Sequence, residues 1–118
     1  MSLIQSNLDK SKFEPLSDKD LLAKIRQKDI KAFDIIYLKY HYRLYVYALK
    51  MIKNDEDAAD IVQDIFIRFW EQADRIPEEL NIRNYLYAMV RNRVLNYIRD
   101  NRTRLINNYR IVCLRGGV

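Results

Sequence analysis

Residues that break helices are scarce in this sequence. Its 118 residues include two glycines and two prolines, and the prolines stand at positions 15 and 77. Long stretches without a backbone breaker favour helices over a sheet with many tight turns. The sequence therefore predicts an all-α fold, a compact bundle of about four helices, and the chain length suits one domain with a modest core.

Cysteine and histidine are rarer still. The single cysteine, Cys113, has no second cysteine in the chain with which to form a disulfide. The single histidine, His41, has no Ser, Cys or metal-ligand partner at the spacing of a known motif. The sequence therefore predicts neither a metal site nor a cofactor, and it gives little support to an enzyme.

Long apolar runs are also missing. The first residues lack a basic segment followed by an apolar one, and no apolar run approaches the roughly 18 residues of a membrane span. We therefore expect a cytoplasmic protein that is not inserted in a membrane.

Charge is plentiful but unevenly placed. Residues 1–51 carry ten Lys or Arg against six Asp or Glu, residues 52–81 carry three against nine, and residues 82–118 carry eight against one. A basic segment of this density favours phosphates, whereas the acidic segment would repel them. The two blocks are either solvated helix faces or surfaces for two different partners.

Apolar spacing of three and four residues predicts the helices. Residues 1–15 show no such spacing and are expected to form a flexible arm. Ser17, Asp29 and either Asn54 or Asp55 are predicted to cap the first three helices, and a fourth helix is expected from about Ile82. We make no structural prediction beyond about Tyr109. The inward side chains of the third helix are predicted to be Ala58, Ile61, Val62, Ile65, Phe66, Phe69 and Ala73.

Two segments resemble a known family. Residues 57–70, DAADIVQDIFIRFW, resemble region 2.2 of bacterial sigma factors, and residues 82–99 resemble regions 2.3 to 2.4 of the extracytoplasmic-function (ECF) group. The resemblance covers roughly residues 17–105. It implies a region 2 domain over residues 16–108, followed by residues 109–118 as a tail or the start of a linker to a region 4 that this sequence lacks.

The resemblance implies that the third helix binds RNA polymerase. In the family, region 2.2 binds the clamp coiled coil of the β′ subunit, and the corresponding exposed positions are Asp60, Gln63, Asp64 and Trp70. Carboxylates and an amide suit an arginine-rich partner, and a tryptophan suits an apolar anchor. Trp70 is alternatively a core residue, because an aromatic beside a core stripe is often packed inside.

The resemblance also implies that the domain opens promoter DNA. The family holds unpaired non-template bases of the −10 element with the loop before the fourth helix, here Ile76 to Asn81, and with that helix. The expected DNA-binding residues are Ile76, Leu80, Arg83, Asn84, Arg91, Asn92, Arg93 and Arg99. Ile76 and Leu80 would wall a base pocket, Asn84 and Asn92 would contact base edges, and the arginines would pair with phosphates. An anti-sigma factor is a further expected partner.

Two other functions are compatible with the charge pattern. One is a helical nucleic-acid-binding regulator without polymerase contact, and the other is a structural interaction module. A plain DNA-binding protein has no reason to present Asp60, Gln63 and Asp64 together, and a plain interaction module has no reason to concentrate eight cations after residue 81. Both observations favour the sigma factor hypothesis.

Overall fold

Residues 16–115, whose backbone the structure describes, form four α-helices. The computed structural model describes the backbone of residues 16–115 and the side chains of residues 16–107. The helices are α1 (Asp18–Arg26), α2 (Ile30–Ile52), α3 (Asp55–Gln72) and α4 (Ile82–Arg115), and a 3₁₀ turn at Ala73–Arg75 follows α3. No strand occurs between residues 16 and 115, so the all-α prediction is confirmed.

Side-chain caps fix where the helices begin. Ser17 and Asp20 form a reciprocal capping box at α1, and the Asp29 carboxylate accepts from two backbone N–H groups at the start of α2. Asn54, rather than Asp55, caps α3 by accepting from the N–H of Asp57. Asn81 caps α4 in the same way, because its side-chain oxygen accepts from the N–H of Asn84 at 3.0 Å. The predicted caps of the first three helices are thus present.

Helix α2 is the centre of the bundle, and α1, α3 and α4 all contact it. Helix α3 and the 3₁₀ turn after it bury the whole predicted stripe: each of its seven members, including Ala73 in the turn, is at most 5% exposed. The core side of α4 is formed by Ile82, Leu86, Val90 and Val94, each at most 1% exposed. The core therefore lies between α1, α2, α3 and the first half of α4, and α1 contributes Leu21, Leu22 and Ile25.

Three apolar side chains depart from the predicted pattern. We expect Leu38 and Tyr42 on α2 to contact a neighbouring helix, but they are 71% and 66% exposed. Ile98 of α4, expected to face inward, is 39% exposed. Three helices pack on α2 from other sides and leave the face with Leu38 and Tyr42 to solvent. Apolar periodicity identifies a helix but does not show how many of its sides are covered by other helices.

Helix α4 is the longest element, with 34 residues. It continues to Arg115, through a segment for which the sequence makes no structural prediction. Within residues 16–115, no helix combines the length and the apolar character that crossing a membrane requires.

Candidate interaction surfaces

The exposed side of α3 carries an acidic surface. Asp60, Gln63 and Asp64 are all exposed there, at the spacing of one helical turn. Ile67 lies one turn further along the same face and is 49% exposed. Ile67 is not among the predicted polymerase-binding residues, although its position on the face of residues 60, 63 and 64 indicates exposure. An apolar side chain among carboxylates and an amide suits a protein partner better than solvent.

Trp70 lies at the edge of this surface and is half-buried. Its ring meets Phe33 edge to face with a centroid separation of 5.2 Å, and the Lys28 ammonium lies 4.9 Å from the ring centroid. Lys28 also donates to the backbone carbonyl oxygens of Trp70 and Glu71, which lie at the carboxyl end of α3. Trp70 is therefore packed on one side and accessible on the other.

A groove between α2 and α3 borders the acidic surface. Phe33, Tyr37, Gln63 and Ile67 line a cavity of about 260 Å³. The Tyr37 ring is stacked on the His41 ring at 4.7 Å, and the His41 Nδ1 atom lies 2.9 Å from the Tyr37 carbonyl oxygen. His41 thus has a structural role as a packed side chain.

The loop before α4 exposes one of the two apolar side chains that the resemblance assigns to a base pocket. Ile76 is 4% exposed, so its side chain belongs to the core and supports the loop from beneath. Leu80 is half-buried and lines a cavity of about 220 Å³ between the loop and the start of α1. Glu78 forms a 2.9 Å ion pair with Arg26 of α1. Leu80 can therefore contact a base, whereas the prediction that Ile76 lines a base pocket is wrong, because Ile76 is buried in the core.

The predicted DNA-binding residues of α4 do not form one surface. Arg83, Asn84, Arg91, Asn92 and Arg99 are exposed, and Arg93 is half-buried. Residues 84 and 91 are two helical turns apart and share one face. Asn92 and Arg93 instead line a groove beside α3, and Arg83 lies over the Tyr87 ring, 5.7 Å from its centroid.

An ion pair joins the acidic surface of α3 to the basic residues of α4. Arg93 Nη2 lies 3.0 Å from Asp64 Oδ2, which connects a predicted DNA-binding residue with a predicted polymerase-binding one. The sequence does not predict this contact, because the two residues are 29 positions apart and belong to different motifs.

A second link between the same helices involves Tyr97 and Asp57. The Tyr97 hydroxyl donates to the Asp57 carboxylate, and this hydrogen bond raises the pKa of Tyr97 above its ordinary value. The acidic helix and the basic helix are thus tied together at two points.

Comparison with known proteins identifies the fold. Residues 36–104 match the family described as sigma-70 region 2. The solved complex of an engineered region 2 of sigmaE with GTAAAA superposes with a TM-score of 0.68 and 25% sequence identity, covering 78% of this chain and 96% of the other.

The chain belongs to the sigma-70 region 2 family. Curated relatives place this region 2 domain with the ECF type. It is 25% identical over 85 residues to the ECF RNA polymerase sigma-E factor of Escherichia coli K12, a match that covers 72% of this chain and 44% of the relative. It is 22% identical over 81 residues to the RNA polymerase sigma-H factor of Pseudomonas aeruginosa, covering 69% and 42%. The region 2 domain therefore spans less than half the length of these relatives.

Proposed function

We propose that this region 2 domain binds core RNA polymerase through α3 and holds the unpaired non-template strand of the −10 element with Leu80 and α4. The observation that carries the proposal is the juxtaposition of the acidic surface of α3 with the exposed basic residues of the adjacent helix α4, within a fold of the sigma-70 region 2 family. A protein that presents melted DNA to a polymerase needs both surfaces at once. No catalytic group is required, since the free energy that opens the strands comes from binding of the unstacked bases by the protein.

The acidic surface supports the polymerase half of the proposal. Asp60, Gln63 and Asp64 are exposed on one face of α3, with Ile67 beside them. Carboxylates pair with arginines of the β′ clamp coiled coil, and the amide of Gln63 adds neutral hydrogen bonds. Ile67 and the accessible side of Trp70 give the apolar contact that a stable interface needs at its centre.

The basic helix and its preceding loop support the DNA half. The related engineered domain was solved in complex with GTAAAA. In the present chain Leu80 and its cavity would receive a base, and Ile76 supports that loop from the core. The side-chain amide of Asn92 contacts base edges. Arg83, Arg91, Arg93 and Arg99 position the phosphates without selecting sequence.

The domain performs one part of a larger task. Relatives are more than twice as long as the segment they share with this chain. We therefore propose that a region 4 normally supplies upstream promoter selectivity and that region 2 alone selects promoters poorly. We place this activity in the cytoplasm, with an anti-sigma factor as a further partner that holds the sigma factor inactive.

Charge reversal at Asp64 tests the polymerase half. We expect Asp64→Arg and Asp60→Arg each to weaken binding to core polymerase by about ten-fold or more, because an arginine would face the partner's arginines. Asp100→Arg is the matched control, since it makes the same charge change on α4. Biosensor titration of core polymerase measures the affinities. Equal affinity of wild type and Asp64→Arg would contradict polymerase binding through α3 and favour a nucleic-acid regulator without polymerase contact.

Substitution of Asn92 tests the DNA half. We expect Asn92→Ala to reduce binding of a single strand containing GTAAAA more than binding of a scrambled strand, because an amide-to-base hydrogen bond carries sequence information. Arg91→Gln should weaken both strands equally, since a phosphate contact is independent of sequence. Fluorescence anisotropy at fixed salt measures each affinity. If Asn92→Ala loses the same affinity for both strands, Asn92 does not contact base edges.

A further inference from the structure

The turn between α1 and α2 contains a lysine in an uncommon backbone conformation. Lys28 has a φ of 65°, in the left-handed region that glycine adopts without a steric cost. Its N–H donates to the carbonyl oxygen of Ile25 at 2.8 Å, and the N–H of Asp29 donates to that of Lys24 at 3.1 Å. These two bonds form a Schellman motif, in which glycine is the usual residue at this position. The lysine side chain therefore stands where the backbone favours glycine.

The Lys28 side chain reaches the carboxyl end of α3. Its ammonium donates to the carbonyl oxygens of Trp70 and Glu71, and it lies 4.9 Å from the centroid of the Trp70 ring. The last turn of α3, which ends at Gln72, contains no basic residue. The ammonium therefore supplies the positive charge that the negative end of the α3 dipole favours, and it contacts the tryptophan at the same time.

Trp70 is thereby held by two different kinds of contact. Phe33 packs against the ring edge to face, at a centroid separation of 5.2 Å. A half-buried tryptophan has alternative rotamers, and each presents a different part of the ring to solvent. Apolar burial has little directional preference, whereas a cation placed over the ring face favours one orientation of the ring. Lys28 therefore favours one orientation of the exposed part of the indole.

We propose that Lys28 is a positioning residue for polymerase binding, which holds the Trp70 indole in the orientation that meets the polymerase. This inference rests on the proposed function and adds a residue that lies outside both family motifs, residues 57–70 and 82–99. A ring that already has its bound orientation loses less conformational freedom when the partner binds. Glycine at position 28 would suit the backbone but would leave the indole free to change rotamer.

Tryptophan fluorescence tests the contact in the full chain without polymerase. Trp70 is the single tryptophan, so the emission reports on this site. We expect Lys28→Gly to raise the acrylamide quenching constant about two-fold, because the ring loses the cation that covers it. Lys53→Gly is the matched control, since Lys53 also has a positive φ, of 55°, and lies at the opposite end of α3 from Trp70. Equal quenching in the two variants would overturn the contact.

Titration of core polymerase tests the positioning role. We expect Lys28→Gly to bind about two- to five-fold more weakly than Lys53→Gly, although both remove one positive charge and one lysine at positive φ. Lys28→Arg should restore affinity and quenching toward the wild-type values, because a guanidinium keeps the charge and the N–H donors. Equal polymerase affinities of Lys28→Gly and Lys53→Gly would overturn the role of Lys28.

A cycle with Trp70→Ala separates positioning from direct contact with the polymerase. In the Trp70→Ala background, Lys28→Gly and Lys53→Gly should have the same polymerase affinity, because no indole is left to position. A difference that persists in this background would mean that Lys28 touches the polymerase itself, and the positioning role would be wrong.

The outcomes separate this inference from the proposed function. A wild-type chain that does not bind core polymerase overturns the polymerase half of the proposed function and this inference with it. A wild-type chain whose binding is weakened by Asp64→Arg but not by Trp70→Ala overturns this inference alone. Circular dichroism spectra establish that each variant is folded, and glycine at position 28 or 53 suits the left-handed backbone there.

Discussion

At the scale of single residues, Asp18 anchors α1 to α2. Its carboxylate accepts from the Tyr40 hydroxyl and from the Lys39 ammonium, the latter at 2.7 Å. Burial, and then the hydrogen bond to Asp18, raise the pKa of Tyr40 above its ordinary value of 10.0. The hydrogen bond to Asp18 also raises the pKa of Lys39. Both shifts favour the protonated side chains in the folded state.

These shifts predict an alkaline loss of stability. A pKa that is higher in the folded than in the unfolded state gives stability that is complete below pH 10.0 for Tyr40 and declines as pH rises through the folded value. We expect Tyr40→Phe to be less stable than wild type at neutral pH and to show a smaller decline in stability as the pH rises above about 10. Denaturant midpoints at each pH measure this.

The control for this experiment is Tyr42→Phe, which removes a hydroxyl from a side chain that is 66% exposed. It should follow the wild-type pH profile. If Tyr40→Phe loses as much stability in alkali as the wild type does, the hydrogen bond between Tyr40 and Asp18 is not the source of the pH dependence.

At the scale of elements, the sequence predicts α3 in full and α2 only in part. All seven predicted core positions, six in α3 and Ala73 in the 3₁₀ turn after it, are buried, because one side of that helix packs on the bundle and the other faces solvent. Helix α2 carries apolar residues all around, and their spacing cannot show which side stays uncovered. Leu38 and Tyr42 lie on the uncovered side, with 71% and 66% of their surfaces exposed.

The candidate site likewise has some features that the sequence predicts and others that it does not. The exposed acidic residues of α3 and the cap of α4 follow from local spacing. The burial of Ile76, the ion pair between Asp64 and Arg93, and the contact between Lys28 and Trp70 depend on how helices pack. No local pattern encodes a contact between residues 29 positions apart.

The central helix allows a matched stability test. Leu44 is 0% exposed and Leu38, on the same helix, is 71% exposed. We expect Leu44→Ala to lower the free energy of unfolding by about 2–5 kcal/mol, because it leaves a cavity at the centre of the bundle. Leu38→Ala should change it by less than about 0.5 kcal/mol. Urea titrations followed by circular dichroism measure both, and similar losses would contradict the packing described for α2.

At the scale of the whole molecule, the two surfaces leave room for two partners at once. Asp60 and Gln63 face outward from α3, whereas Asn84 and Arg91 face outward from α4. We expect a strand and the β′ clamp coiled coil to bind the same molecule simultaneously. A labelled strand should therefore stay bound, in a larger complex, when an isolated coiled-coil fragment is added in analytical ultracentrifugation.

Two controls make this experiment decisive. In the first control, the coiled-coil fragment and the strand are mixed without the domain, which shows whether they bind each other directly. The Asp60→Arg variant keeps the strand but should fail to recruit the fragment, because its charge at the α3 surface is reversed. Release of the strand as the fragment is added to the wild-type domain would contradict separate surfaces.

The uncovered side of α2 has a practical consequence for the molecule in concentrated solution. Ile35, Leu38 and Tyr42 are 43%, 71% and 66% exposed on the same helix. Sulfate and similar salts strengthen apolar association, whereas any added salt weakens binding to phosphates. One change of buffer therefore moves the two kinds of contact in opposite directions. A high concentration of sulfate, which would release nucleic acid bound in the proposed way, is therefore also a condition that favours adhesion between molecules of this protein.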